Sequence, residues 1–558
     1  MEGKEVGVGL GDVCIKETEL SMMKPRWLFV VAMLCAALLQ SCAAPNRISN
    51  TKKDISPYDF GLAKAKTGAE RYSVLYETHR VAVAAGVNVD YSGIKSICIE
   101  IPDNPKQIPL TRHNDFKGCV FVVTIRTKNC RLFNYAAKEA PVSVGKRNID
   151  AGDFHLVEPL RKGRYLLLIE DENPWVLNRK GHNYGHQRKD VLLVENGRAK
   201  NSVTMPYDNA YSKPKCTFVT LDDKPLVFKN ITIERTPGCT FVANVAYISG
   251  ADNVQISNVK IQTPANDLIN DRGIMIYNCT NVTLDNVRID GTYSQPDHSG
   301  YGFTLNNIWN LKVTRMYGKA NWGVFGDNNI NVATIEDSKI NRFDIHCYGR
   351  DIAFKNVEFF DLYNQYASVF GTIRYDKCTF TNFVPVLNGG SYNSFVGHEI
   401  VFNDCVFNAT EKKNFFIRMS GLGTEVNERH ELAEKALPNV RIRNLTVNMT
   451  EGADYFYLFH ASAVTKNVKS IGFVSAISID GMTVVEDANK AFKGMALSNV
   501  QLNTARPVEC TVQNVEVRQV GAAVKSTSVS NAKAAVLKAN MPLKGGKAML
   551  RNAEGFRQ

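Results

Sequence analysis

The sequence predicts an all-β chain wound as a parallel β-helix, and three observations predict it. A nine-residue template recurs from Pro225 to Val517, apolar at its second, fourth, seventh and ninth positions and often Asn at its sixth. Successive copies start 20 to 29 residues apart, widening to 33–40 toward the C-terminus. No helix-period segment alternates with these strands, which argues against a doubly wound sheet. Units of this kind bury their apolar faces only by stacking on equivalent neighbours. The 558 residues would suggest three or four domains at ~150 residues each, but a repeat architecture breaks that prior.

The N-terminus reads as a targeting segment. Met23-Lys-Pro-Arg26 is basic, and Trp27 to Leu39 is an apolar run too short to span a bilayer comfortably. The run ends in Leu39-Gln-Ser-Cys42, which resembles the bacterial lipoprotein signal, with Gln40 an unusual choice inside it. That resemblance implies acylation of Cys42 and an exported protein of the cell envelope, lipid-anchored, with the outer membrane as the expected address. Ordinary secretory cleavage is the alternative. Residues 1–21 carry no signal of their own and fit an over-extended start. Residues 43–56 are polar and aperiodic, as a tether should be.

The β-helix is expected over residues 57–520. Gly93 to Ile101 and Cys119 to Ile125 read as early strands. An irregular β insertion is expected around 140–222, with strands at Arg164–Glu170 and Asp190–Glu195. Between them, Asn178 to Asp190 is basic and contains His182 and His186, and reads as a solvated loop or a substrate-facing lid. Gly181 and Gly185 argue against a helix that would let the two His share a metal.

The repeats follow. Asn253-Val-Gln-Ile-Ser-Asn258-Val-Lys-Ile is a clear copy, and Asp351-Ile-Ala-Phe-Lys-Asn356-Val-Glu-Phe another. Each reads as a strand, a sharp turn at the Asn, and a second strand. Asn tolerates the left-handed backbone of such a turn, and its amide satisfies neighbouring groups. Stacking should align Asn230, Asn258, Asn286, Asn356, Asn444 and Asn514 into a ladder.

Repeated Asn-Val-x-Ile-x-Asn-Val-x-Ile units resemble the right-handed β-helices of the pectin-lyase-like superfamily. Tyr58-Asp-Phe-Gly61 followed by a helical stretch, roughly Glu70 to Ala85, is similar to the entry and capping helix of its polygalacturonase-like branch. The resemblance implies a right-handed single-stranded parallel β-helix with an N-terminal capping helix. Residues 521–558, Ala- and Lys-rich, read as a C-terminal cap or tail.

Composition narrows the partners. The net charge is +12 and spread along the chain, with no nucleic-acid motif. A polysaccharide, acidic on the charge reading, is the expected partner, besides the membrane reached through the lipid. Of thirteen Cys, Cys14, Cys35 and Cys42 belong to the leader or anchor. The rest stand singly in strand patterns, as small buried hydrophobes rather than metal ligands. Cys378 and Cys405 hold equivalent repeat positions and would stack or bridge. No cofactor or metal is expected, and the oligomeric state is not legible.

The chemistry points to Asn341-Arg-Phe-Asp-Ile-His-Cys347, where Arg342, Asp344 and His346 alternate with apolar residues. Alternation on a strand gives one ionic face and one apolar face. Aligning the strands before each template unit places Arg272, Tyr301, Trp322, Arg342 and Tyr363 in one column. Two places on, Ile274, Phe303, Val324, Asp344 and Gln365 align, and then Ile276, Leu305, Gly326, His346 and Ala367. Ile274 and Phe303 read as inward-facing, so Asp344 faces solvent only if parity switches at a bulge. Aromatic rings stack on sugars and Arg binds carboxylates, which makes Trp322, Tyr301, Arg272 and Tyr363 candidate substrate contacts. Asp344, His346, Arg342, Asp327 and Asp297 are the candidate catalytic residues. Carboxylate pairs among Asp297, Asp327 and Asp344 suit acid–base work on a glycosidic bond, while Arg342 and His346 equally suit β-elimination from a uronate. Each of these Asp residues would also serve as a loop turn. The paired aspartates, Gly-His-Gly and Arg-Ile-Lys of polygalacturonases are not found, nor is the Trp-x-Asp-His set of pectate lyases. A glycoside hydrolase or polysaccharide lyase is therefore expected, with a non-catalytic glycan-binding or structural envelope β-helix as the alternative.

Overall fold

The computed structural model describes residues 54–520 except 126–130, 138–141, 147–162, 177–185, 202, 204–213, 223, 237–243, 264–271, 292–299, 321, 347, 367–368, 390–397, 421–437, 450–451, 462–473, 488–492, 503 and 505–506, and also 537–538 and 549–550. Cys42, Asp297, His298 and the loop residues 177–185 lie outside the described residues, as do the leader and most of the tail.

The described chain is a right-handed parallel β-helix. Each coil contributes strands to three parallel sheets. One sheet runs through Ile274–Tyr277, Phe303–Asn306 and Phe325–Asn328. The second runs through Thr283–Asp285 and Lys312–Thr314, and the third through Val259–Thr263 and Val287–Gly291. Template residues pair in register from copy to copy, with Leu226 opposite Val254 and Ile256 opposite Leu284.

The Asn turns form as their chemistry requires. Asn230, Asn258, Asn286, Asn356, Asn444 and Asn514 all have φ between 51° and 59°. Asn258 donates to Asn230 at 2.9 Å and Asn286 to Asn258 at 2.7 Å. The expected continuous ladder is instead built in sections. Arg315, Asp337, Lys377 and Asp404 occupy equivalent left-handed turns. Asn356 then bonds the Asp337 carboxylate at 2.7 Å, and Asn444 that of Asp404 at 2.9 Å. A second ladder, not read from the sequence, joins Asn278, Asn307 and Asn329 by 2.8 Å bonds at another corner.

The interior is a column of rings and aliphatic side chains. Phe303, Phe325 and Phe343 stack along one line, and Phe354, Tyr375 and Phe402 along another. Cys378 and Cys405 hold equivalent places on successive coils as free thiols, Cys378 donating to the carbonyls of Phe354 and Asp376 and Cys405 to those of Tyr375 and Asn403.

The helix Gly68–Ala85 caps the first coil. Thr67 and Glu70 form a capping box at its start, and Gly86 ends it at φ 65°. Tyr72, Leu75, His79 and Ala82 are its buried face. Among the described residues no helix is long and apolar enough to cross a membrane.

A five-stranded antiparallel sheet, from Val142–Lys146 to Pro214–Thr220, interrupts the coil between Arg131–Ala136 and Leu226–Arg235. Leu167, Ile169, Leu192 and Val194 bury one face of it. Leu166, Val191, Leu193 and Val219 pack the other face against Trp309 of the solenoid. Arg164 reaches the Asp252 carboxylate at 2.9 Å, and Asn331 donates to the Val191 carbonyl at 3.2 Å.

Candidate active site

The site lies on the first of the three sheets, where Phe343–Ile345 forms a short strand. Phe343 and Ile345 point into the core. Arg342 and Asp344 alternate with them, so they fall on the outer side. The register explains the switch of face. Arg272 pairs with Tyr301 and Ile274 with Phe303, in line with the sequence alignment. Tyr301 then pairs with Gly323, not Trp322. Phe325, not Val324, continues the inward line to Phe343, and Gly326 pairs with Asp344. The aligned columns are thus corrected at Trp322 and Gly323, and from there Asp344 pairs with Gln365.

The outer side is not open at this point. Tyr301 lies across Gly326, where a Cβ would come within 2.5 Å of its ring. Gly323, at φ 147°, leaves room for the Arg342 side chain, which a Cβ there would meet at 2.6 Å. No larger residue fits either place. Asp344 is 0% exposed, Arg342 1% and Tyr301 9%. The His346 side chain, at 17%, is the titratable group of the cluster that reaches solvent.

Four side chains converge on one oxygen region. Arg342 Nη2 donates to Asp344 Oδ2 at 2.6 Å. Tyr301 OH donates to the same oxygen at 3.0 Å. His346 Nε2 lies 3.0 Å from Asp344 Oδ2 and 3.0 Å from Tyr301 OH. Arg342 also donates to Gln365 Oε1 at 3.0 Å and to the Trp322 carbonyl at 2.8 Å. Its guanidinium is held between two rings, 4.9 Å from that of Trp322 and 4.5 Å from that of Tyr363. Asp344 Oδ1, buried, has no hydrogen-bond partner among the described residues. Beneath the strand, Asn364 accepts from the Phe343 amide at 2.8 Å and fixes its height.

The charge states follow from these contacts. Burial pushes the Asp344 carboxyl up, but Arg342, His346 and Tyr301 outweigh it and hold it below the usual carboxylate range. Asp327 goes the other way. It pairs in register with the core residue Ile345, one position beyond Gly326. Its Oδ1 accepts only the Leu305 amide, at 3.1 Å, and its Oδ2 has no partner. Burial, aided by the nearby Asp344 charge, raises its pKa well above the ordinary value and so favours the protonated form. The Asp327 side chain is therefore sealed on the core line rather than presented beside Asp344 on the outer side. Trp322 and Tyr363 are partly exposed at the rim. Arg272 heads its strand, but its side chain lies outside the described residues.

A second group on the same sheet was missed. Phe415, Tyr455, Tyr457 and His460 stand on the strands Lys413–Ser420 and Tyr455–Ala461. The sequence shows Lys413-Asn-Phe-Phe-Ile-Arg418 and Tyr455-Phe-Tyr-Leu-Phe-His460 only as short aromatic-rich runs, in which alternation does not separate an inner from an outer face. Among the described residues no group of three or more His, Cys, Asp or Glu is placed to hold a metal ion.

No known family model matches the chain, and no curated protein matches it. Solved structures do. The tailspike gp61 of Pseudomonas phage phi297 matches at a TM-score of 0.47 and 13% identity, covering 84% of each chain. The gp54 tailspike of Acinetobacter baumannii bacteriophage AP22, solved with a capsular saccharide of that bacterium, matches at 0.40 and 11%, covering 83% of this chain and 79% of the tailspike. A family 28 exopolygalacturonase of Yersinia enterocolitica matches at 0.29 and 11%, covering 77% and 78%.

Proposed function

We propose that the chain is a polysaccharide lyase, working by acid–base chemistry at Tyr301, Asp344 and His346. The observation that supports it best is the pair of 3.0 Å contacts that His346 Nε2 makes with the Asp344 carboxylate and the Tyr301 hydroxyl, on the outer side of a solenoid sheet. Asp344 orients the imidazole and balances its charge. Arg342 keeps Asp344 ionised. Trp322 and Tyr363 offer ring edges and faces at the rim for a sugar.

Elimination from a uronate needs one base and one acid. His346 removes the proton on C5, the electrons form the C4–C5 double bond, and the C4–O4 bond breaks. Tyr301 delivers its proton to O4, and the imidazolium returns a proton to the phenolate across their hydrogen bond. Hydrolysis by a pair of carboxylates is less well served, because Asp327 is fully buried on the core line with Ile345. Export and anchoring through Cys42 are part of the same reading and rest on the segment 23–42.

The test is the full chain, purified in detergent and offered a panel of polysaccharides. Ultraviolet absorbance of unsaturated ends and reducing-end release are both read. Unsaturated products are expected, with a loss of at least ~100-fold in rate for His346→Ala and for Asp344→Asn. Reducing ends without unsaturation, or unchanged turnover in both variants, would sink the proposal.

A further inference from the structure

The sheet that carries Asp344 continues outward to the missed aromatic group, and the two lie on one line. Asp344 pairs with Gln365, Gln365 with Leu387, Leu387 with Arg418, and Arg418 with His460. Strands in a sheet are ~4.8 Å apart, so Arg418 stands about 14 Å and His460 about 19 Å from Asp344 along the solenoid axis.

The residues around Arg418 are unlike an ordinary solvated face. Phe415 and Tyr457 stack with ring centres 5.7 Å apart and planes 18° apart. Tyr455 continues the stack from Tyr457 at 6.0 Å and 12°. Phe415 also packs on the His460 ring at 4.1 Å. These rings are partly exposed, although an apolar core lies directly behind them in Phe416, Phe456 and Phe459. Arg418 and Lys413 are exposed, and neither has a carboxylate partner among the described residues, whereas Arg374, Arg441 and Lys493 each have one. Both cations act on His460. Burial and then Arg418 and Lys413 push its imidazole below the usual value. His460 Nδ1 is shielded from solvent and has no hydrogen-bond partner among the described residues. Two exposed cations without a carboxylate partner among the described residues, beside a platform of stacked rings, suit an anion carried on a flat apolar body.

We infer that Phe415, Tyr457, His460, Arg418 and Lys413 form a distal subsite for an anionic sugar unit of the polymer whose backbone passes Asp344. The rings take the sugar face, and the Arg418 fork takes its carboxylate or sulfate. The inference rests on the polysaccharide reading of the Asp344 site for its ligand class. It adds a second contact point for an anionic unit three to four coils from Asp344, so that the bound segment runs along the solenoid axis.

The test is calorimetric binding to the full chain, in the His346→Ala background so that no product forms. The probes are size-fractionated oligouronates, sulfated oligosaccharides and a neutral glucan. Affinity for an acidic probe should rise once its length spans both sites, and should weaken with salt. Arg418→Gln, an exposed substitution, should cost about tenfold in affinity for the long acidic probe, and Tyr457→Ala a similar factor. The preferred acidic probe decides between carboxylate and sulfate. Affinity within about twofold of the parent in both variants, or equal binding of the neutral glucan, overturns the subsite. The two readings fail separately. If His346→Ala abolishes turnover while Arg418→Gln leaves affinity intact, the subsite falls and the acid–base site stands. If Arg418→Gln loses affinity while His346→Ala turns over normally, the acid–base site falls and the subsite stands.

Discussion

Asp327 and Asp344 are both fully buried on adjacent strands, yet their pKa values are shifted in opposite directions. The difference is their partners. Asp344 has a guanidinium, a phenol and an imidazole, while Asp327 has one backbone amide and an oxygen with nothing to bond. A raised folded pKa means that the fold keeps a proton which the unfolded chain releases above ~3.9. The Asp327 contribution is thus most favourable below that pH and declines as pH rises. Asp327→Asn keeps the acceptor for Leu305 and removes the titration. It should stabilise the chain by about 1–3 kcal/mol at pH 8 and by less at pH 5, read as the shift in urea midpoint. A variant less stable than the parent at pH 8 would show that Asp327 is ionised in the fold. This distinction was not legible in the sequence. Strand alternation showed that Arg342, Asp344 and His346 share a side. Nothing local showed that Asp327 falls on the core line with Ile345.

The elements set that limit. Template strands were legible because their apolar period is two and their turns demand a left-handed residue. The strands before them were aligned by length alone, and the register slipped where Gly323 takes φ 147°. A glycine in such a conformation costs nothing that a sequence displays, so the shift from Trp322 to Gly323 opposite Tyr301 was hidden. The Phe415 and Tyr457 strands were missed for a related reason, since the copies there are spaced 33–40 residues apart. The capping helix is clearer, and it carries a pH response. His79 is sealed between the Pro109 carbonyl at 3.0 Å and the Tyr91 hydroxyl at 2.9 Å. Burial lowers its pKa from 6.5 to about 4. The unfolded chain therefore takes up the proton first as pH falls. Stability is intact above the unfolded value and is lost progressively as pH drops toward 4, by up to ~3 kcal/mol. His79→Gln should be less stable at pH 7.5 but should lack this loss, as urea midpoints at pH 7.5 and 4.5 would show. An equal acid loss in the variant would assign the effect to other groups.

On the scale of the molecule, the solenoid decides how far any change is felt. Each coil pairs only with the coils before and after it, so stability is close to a sum of coil and neighbour terms. This is also what lets one sheet hold an acid–base cluster and a distal ring platform at a fixed separation without either perturbing the other. Phe402 is a suitable probe. Its ring lies 4.8 Å from Tyr375 on one side and 4.5 Å from Phe416 on the other, and it is fully buried. Phe402→Ala removes both contacts and leaves a cavity, at a cost of ~3–5 kcal/mol. In a globular core that cost would lower protection everywhere. Here hydrogen exchange should quicken in Val369–Asp376, Glu399–Asn403 and Asn439–Met449, which pair with one another in sequence. Exchange in Ser96–Ile101, under the capping helix at the far end, should be unchanged. Uniform loss of protection along the whole chain would mean that the coils unfold as one unit, and that distance along the axis does not insulate the two sites.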